Sequence, residues 1–174
     1  MNLKYTHFAM SVSRATFTDE FVTEVLGFYK EYFGWSEALA LRMHGERLTV
    51  YTASNQYVNI RASDSPIVTS GYEHLGFAVE THQHLVNLHD RLSRCASQDG
   101  RASLTPINFT EVGDEQVYSF RFNFLLPVAL EIQYFPLEKR TKLFNQGDQN
   151  RTDYGPHNLV VKPSKKWPRY TWCS

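Results

Sequence analysis

An internal repeat constrains the fold of this chain more than any other feature. Thr6–Val12 reads T-H-F-A-M-S-V and Glu73–Val79 reads E-H-L-G-F-A-V, so each segment opens with a histidine before a short apolar run. The two histidines, His7 and His74, lie 67 residues apart. That spacing is too long for a solenoid repeat and suits two small modules of helix and strand. The repeat therefore predicts a fold built twice from one unit.

Each copy continues from a strand into a helix and then into further strands. Thr16 or Thr18 can cap a helix that ends at Gly34, and Thr81 can cap a second helix. Alternating or β-branched runs predict strands at Leu3–Val12, Leu48–Tyr51, Tyr57–Arg61, Glu73–Glu80, Val117–Phe124 and Ala129–Phe135. The expected architecture is α+β, with a βαβββ module at residues 1–65, a second at 66–138 and an irregular basic extension at 139–174.

Composition narrows the classes of function. The chain has 174 residues, 42% of them hydrophobic and 14% aromatic, which is enough for a packed core. A formal net charge of zero gives no general attraction to nucleic acid or membrane, and the basic extension lacks a dense charged run. Two cysteines do not make a disulfide framework. Because a strand pattern begins at the first residues, we expect no signal peptide, and no apolar run reaches the roughly 20 residues that a membrane-spanning helix needs. We expect a cytoplasmic protein with no nucleic-acid or membrane partner.

The repeat also points to a metal site. His7 and His74 occupy the same position in the two copies, and Glu131 lies on the closing strand of the second. Two imidazoles and one carboxylate suit Fe(II) or Mn(II), accept Zn, Co or Ni, and leave coordination positions open. The alternative is that both histidines are core residues and that Glu131 pairs with Arg121 or Arg61. The repeat favours metal binding, because two unrelated core histidines have no reason to fall at equivalent positions.

Two further motifs resemble a known family. The helix ends F-Y-K-E-Y-F-G-W (Phe28–Trp35), and the closing strand reads L-E-I-Q-Y-F (Leu130–Phe135). With the repeated H-x-x-x-x-V strand, they resemble the vicinal oxygen chelate superfamily over about residues 3–136. That group includes glyoxalases, extradiol dioxygenases, methylmalonyl-CoA epimerases, and fosfomycin and bleomycin resistance proteins. The resemblance implies paired βαβββ modules in a cupped, barrel-like mixed sheet, a metal held by His7, His74 and Glu131, and a homodimer.

The chain departs from the family pattern at several points. The fourth metal position of the family falls at or near Asn59. Glyoxalases usually have Glu there, and extradiol dioxygenases generally have an acid–base His nearby. The usual D-P-D-G turn is replaced by F-L-L-P at 124–127. His157, in Y-G-P-H-N, is a candidate for the missing acid–base group. Further candidates to orient or bind the substrate are Tyr57, Tyr118, Arg121, Asn123 and Asn59 itself.

The resemblance leaves three functions open. With two His and one Glu, an Fe(II)-dependent dioxygenase of the extradiol type, acting on a small substrate with adjacent oxygens, is the preferred interpretation. The second is a lyase, isomerase or thiol transferase that uses a redox-inert divalent ion. The third is a metal-free binding protein of the bleomycin-resistance kind, which sequesters an aromatic ligand.

Overall fold

The computed structural model describes residues 5–112 and 115–136. The predicted extension at 139–174, with His157, lies outside these residues. The chain contacts divide the described residues into two compact units. The first holds residues 5–73 together with Asn123–Val128, and the second holds His74–Phe122 and residues 129–136.

The first module follows the predicted βαβββ order. Its elements are β1 (His7–Ser13), α1 (Asp19–Phe33), β2 (Ser36–Glu37), a 3₁₀ turn (Leu39–Leu41), β3 (Arg47–Ala53) and β4 (Gln56–Ser63). The strands form one sheet in the order β1-β4-β3-β2, with β1 parallel to β4 and the other pairs antiparallel. The βαβββ order includes β2, but its position was not predicted, because two residues are too few to show an alternating pattern.

Helix α1 begins and ends at the predicted residues. The Thr18 hydroxyl accepts a hydrogen bond from the Phe21 amide, which satisfies one of the free N–H groups of the first turn. Gly34 ends the helix with φ at 70°, in the left-handed region that glycine enters without strain. The buried face of the helix consists of Phe21, Val22, Val25 and Tyr29.

Two glycines of this helix are expected to respond to alanine with opposite signs. Gly27 lies inside α1, and a Cβ added there meets no atom within 4 Å. Gly27→Ala should therefore raise the free energy of unfolding by about 0.5–1 kcal/mol, because alanine loses less backbone entropy on folding. Gly34→Ala should lower it by about 1 kcal/mol, because its positive φ strains alanine. Urea denaturation of both variants tests this, and two shifts of the same sign would contradict it.

The second module repeats the plan with one edge strand divided in two. Its elements are β5 (His74–Val79), α2 (His82–Gln98), β6 (Ser103–Leu104), β7 (Asn108–Val112), β8 (Glu115–Asn123) and β9 (Ala129–Tyr134). The order is β5-β9-β8-β6, with β7 also paired to β8. Strand β5 is parallel to β9, and β8 is antiparallel to β9. Strands β6 and β7, on either side of Pro106, were not predicted. The structure confirms the α+β class and the paired modules.

Each sheet has one buried face and one polar face. In the first sheet the buried residues of β4 are Val58, Ile60 and Ala62, and in the second Phe120 and Phe122 of β8 alternate in the same way. Each helix lies against its own sheet, since α1 contacts β2 and β3 while α2 contacts β5, β6 and β9. The residues between the buried positions form the polar faces, which carry the three predicted metal ligands His7, His74 and Glu131. No helix in the described part is long and apolar enough to cross a membrane.

Candidate metal centre

The structure brings two of the three predicted metal ligands together. His74 is the first residue of β5, and Glu131 lies on the adjacent parallel strand β9, where it pairs with Gly76. His74 Nε2 is 3.0 Å from Glu131 Oε2. The two side chains are 24% and 12% exposed, so the pair is largely buried but still open to the polar face.

Three neighbouring side chains hold the Glu131 carboxylate. The Gln133 amide donates to Oε2 at 3.1 Å, and the Ser119 hydroxyl donates to Oε1 at 3.3 Å. Arg121, the cross-strand partner of Glu131 on β8, places its Nε 3.6 Å from Oε1. The contact with Arg121 that the sequence left open is therefore present, beside the contact with His74. Both carboxylate oxygens have fixed neighbours, which limits how the carboxylate can turn.

The strand register shows which residue replaces this carboxylate in the first module. Glu131 pairs with the residue two positions after His74, and Asn59 pairs with Ala9, two positions after His7. On the other side Asn59 pairs with Thr49, as Glu131 pairs with Arg121. The first module therefore has a neutral Thr–Asn pair where the second has an Arg–Glu pair.

His7, the third predicted ligand, is an exposed residue of the polar face of the first sheet. Its ring stacks on Tyr57, with centroids 4.9 Å apart and planes within 3°, and Tyr51 meets Tyr57 edge-on. Within residues 5–112 and 115–136, no group of three or more His, Cys, Asp or Glu side chains is arranged to hold a metal ion. The second module thus contributes two donors, and the described residues do not add a third to them.

Tyr118 and Asn123, two further candidates, both lie on β8 and have different neighbours. Tyr118 and Arg121 are three residues apart on one strand, so their side chains point to opposite faces of the sheet. Tyr118 packs with the rings of His82 and Tyr134, on the face opposite that of Glu131. The Asn123 amide donates to the Leu126 carbonyl and so supports the turn that follows β8.

Comparison with known proteins identifies the fold. No family model matches the chain, and no curated protein matches it. Among solved structures, a glyoxalase/bleomycin resistance protein/dioxygenase from Alicyclobacillus acidocaldarius is 19% identical, covers 78% of this chain and 94% of its own, and has a TM-score of 0.52. The fosfomycin resistance protein FosX from Listeria monocytogenes, complexed with Mn(II) and sulfate, is 15% identical, with coverage of 83% and 99% and a TM-score of 0.56.

A lactoylglutathione lyase from Agrobacterium tumefaciens is a third structural neighbour. It is 13% identical, covers 77% of this chain and 95% of its own, and has a TM-score of 0.51. At these identities the likeness shows the fold alone. The chain has the vicinal oxygen chelate fold, as its sequence predicted.

Proposed function

We propose that this protein is a divalent-metal-dependent enzyme of the vicinal oxygen chelate type, with His7, His74 and Glu131 as metal ligands. The observation that carries the proposal is the contact between His74 Nε2 and Glu131 Oε2, 3.0 Å apart on adjacent parallel strands. An imidazole nitrogen and a carboxylate oxygen are donors that Mn(II), Fe(II), Zn(II), Co(II) and Ni(II) accept. FosX, which shares the fold, is described as a complex with Mn(II).

His7 is proposed as the third ligand because it is the counterpart of His74. Both residues open a strand that runs parallel to the last strand of its own module. We propose that His7 reaches the pair of donors from the same chain or from a second copy in a homodimer. Its exposure leaves the ring accessible for either arrangement.

The surrounding residues have distinct tasks in this scheme. Gln133 and Ser119 orient the Glu131 carboxylate through the hydrogen bonds described above. Arg121 offsets the negative charge of Glu131. With a divalent ion bound, the centre would therefore have a net positive charge and would favour a substrate that carries negative charge. The bound ion would supply Lewis-acid chemistry toward two adjacent oxygens of the substrate.

Two reaction classes are compatible with this donor set. An Fe(II)-dependent dioxygenase of the extradiol type stays our first choice, because two His and one Glu leave open coordination positions for substrate and O₂. The second candidate is a lyase, isomerase or thiol transferase that needs no O₂. It is favoured by the similarity to a lactoylglutathione lyase and to FosX.

Metal content is the measurement that tests the proposal. Protein purified without chelator is expected to contain close to one divalent ion per chain by elemental analysis. Oxygen uptake with catechols by the Fe(II) form would identify a dioxygenase, whereas turnover of hemithioacetals or epoxides without O₂ would identify the second class. Protein that holds no metal even after reconstitution, and that binds an aromatic ligand regardless of chelator, would contradict the enzyme proposal and favour the metal-free binding protein.

A further inference from the structure

The polar face of the first sheet has hydrogen-bond donors and no acidic side chain. Residues at alternate positions of the four strands share this face, as the pairing of Ala9 with Asn59 and of Thr49 with Asn59 shows. Its members are His7, Ala9, Ser11 and Ser13 of β1, Ser36 of β2, Arg47, Thr49 and Tyr51 of β3, and Tyr57, Asn59, Arg61 and Ser63 of β4. The positive charges and the donors of this face favour the binding of an anionic group.

The Asn59 side chain on this face is oriented by a buried neighbour. Thr49 has an exposed fraction of 0%, and its hydroxyl donates to Asn59 Oδ1 at 2.7 Å. Because the carbonyl oxygen of the amide is engaged by Thr49, the NH₂ group is the part of Asn59 that is directed away from Thr49. Asn59 is only half-buried, so part of the residue is exposed.

Arg61 adds a positive charge beside this donor. It is exposed, and no ion pair or hydrogen bond of its side chain occurs in the described part of the chain. Its cross-strand partner is a second cation, Arg47, and like charges directly opposite each other are unfavourable. Arg47 donates to the Leu41 carbonyl. The positive charge of Arg61 is therefore not offset by its cross-strand partner Arg47.

The two carboxylates that lie close to Arg47 and Arg61 in the sequence pair with another arginine. Glu46 and Asp64 both pair with Arg14, at 2.7 Å and 3.1 Å. Asn59 and Arg61 are two residues apart on one strand, so their Cβ atoms are separated by about 6.6 Å on the same face. A carboxylate, phosphate or phosphonate group is large enough to bind both side chains at once, through the amide NH₂ and the guanidinium.

We infer that Asn59 and Arg61 form a binding site for an oxyanion group of a small molecule. The stacked rings of His7 and Tyr57 lie next to this site on the same face and offer a flat surface for the rest of the ligand. In the first module this donor site replaces the acceptor carboxylate that Glu131 provides in the second. The identification of the ligand as the enzyme's substrate rests on the proposed function, whereas the anion site rests on its own residues.

Titration of metal-free protein with inorganic phosphate, followed by calorimetry at low ionic strength, tests this site. We expect saturable binding that is weakened at least 10-fold in Arg61→Gln and in Asn59→Asp. The Asp variant keeps an oxygen for Thr49 but replaces the NH₂ donor with a charge that repels phosphate. Arg94→Gln is the matched control, because Arg94 is also exposed and also lacks a side-chain partner in the described residues. It should bind phosphate as the wild type does.

Two results would overturn the inference. One is the absence of saturable phosphate binding to the wild type, and the other is an equal loss in Arg94→Gln and Arg61→Gln. Thr49→Val is a further check, since it keeps the buried volume but frees the Asn59 amide, and it should weaken phosphate binding about 3-fold if orientation matters. The outcome is independent of metal content, so a protein that binds metal but not phosphate would refute this site and leave the proposed function standing.

Discussion

Glu131→Gln is expected to weaken the binding of Mn(II) at least about 100-fold, which corresponds to roughly 2.7 kcal/mol. Glutamine has nearly the same shape as glutamate, but it removes the anionic donor of the proposed ligand set, and divalent ions bind neutral amides far less tightly. His74→Ala should have a comparable effect, because it removes the nitrogen 3.0 Å from the carboxylate. Titration of each variant with Mn(II), followed by electron paramagnetic resonance, measures the change.

Glu37→Gln is the matched control for this measurement. Glu37 is also a partly buried carboxylate, 16% exposed, and it pairs with Arg42 at 3.0 Å. It should bind Mn(II) as the wild type does, although both substitutions remove one negative charge from the protein. Equal affinity of the wild type and Glu131→Gln would show that the metal does not use this carboxylate.

Glu131→Gln is also expected to lower the stability of the protein. Arg121 Nε lies 3.6 Å from Glu131 Oε1, and the two side chains are 19% and 12% exposed. Glutamine removes the negative charge that faces this guanidinium, so Glu131→Gln should lower the free energy of unfolding of the metal-free protein by about 1–3 kcal/mol. Combining it with Arg121→Met should recover part of that loss, as a double-mutant cycle would show.

The repeat explains why much of the fold could be predicted. A shared start at His7 and His74 makes the strands that follow equivalent, and the structure gives both modules the same parallel pairing of first and last strand. That pairing brings His74 next to Glu131 and places Asn59 at the matching position. The helix caps were predicted for a different, local reason, because a Thr before a helical pattern can accept a hydrogen bond from the first turn. The sequence left Thr16 or Thr18 open for the first helix, where the structure has Thr18, and it predicted Thr81 for the second.

Some other features could not be predicted from the sequence pattern, or could be predicted only after a strand had been assigned. Strands β2 and β6 have two residues each, too short for any periodicity. The opposite faces of Tyr118 and Arg121 follow from their odd spacing, which the sequence does contain once the strand is assigned. The sequence pattern also does not say whether His7 would join His74 and Glu131 within one chain or from a second copy.

Tyr29→Ala is expected to produce the largest loss of stability among the substitutions considered, about 3–5 kcal/mol. Tyr29 is 1% exposed, and its ring stacks on Trp35 with centroids 4.6 Å apart. Its hydroxyl donates to the Phe124 carbonyl at 2.8 Å, within the same compact unit. Truncation therefore leaves a large cavity and a buried carbonyl without its donor. Guanidinium denaturation measures the loss, and a change below about 1 kcal/mol would contradict the packing described here.

Tyr29→Phe tests the contribution of the hydroxyl to stability apart from that of the ring. Its stability should also depend on pH differently from that of the wild type. It should cost about 1–2 kcal/mol near neutral pH, because only the hydrogen bond to Phe124 is lost. Burial raises the pKa of Tyr29 well above its usual value of 10.0. Above about pH 10 the unfolded chain releases this proton while the folded chain keeps it, so stability falls as the pH rises. The Phe variant lacks that proton, so its stability should fall less steeply above pH 10, and parallel curves for the two proteins would show that the Tyr29 hydroxyl is not buried as described.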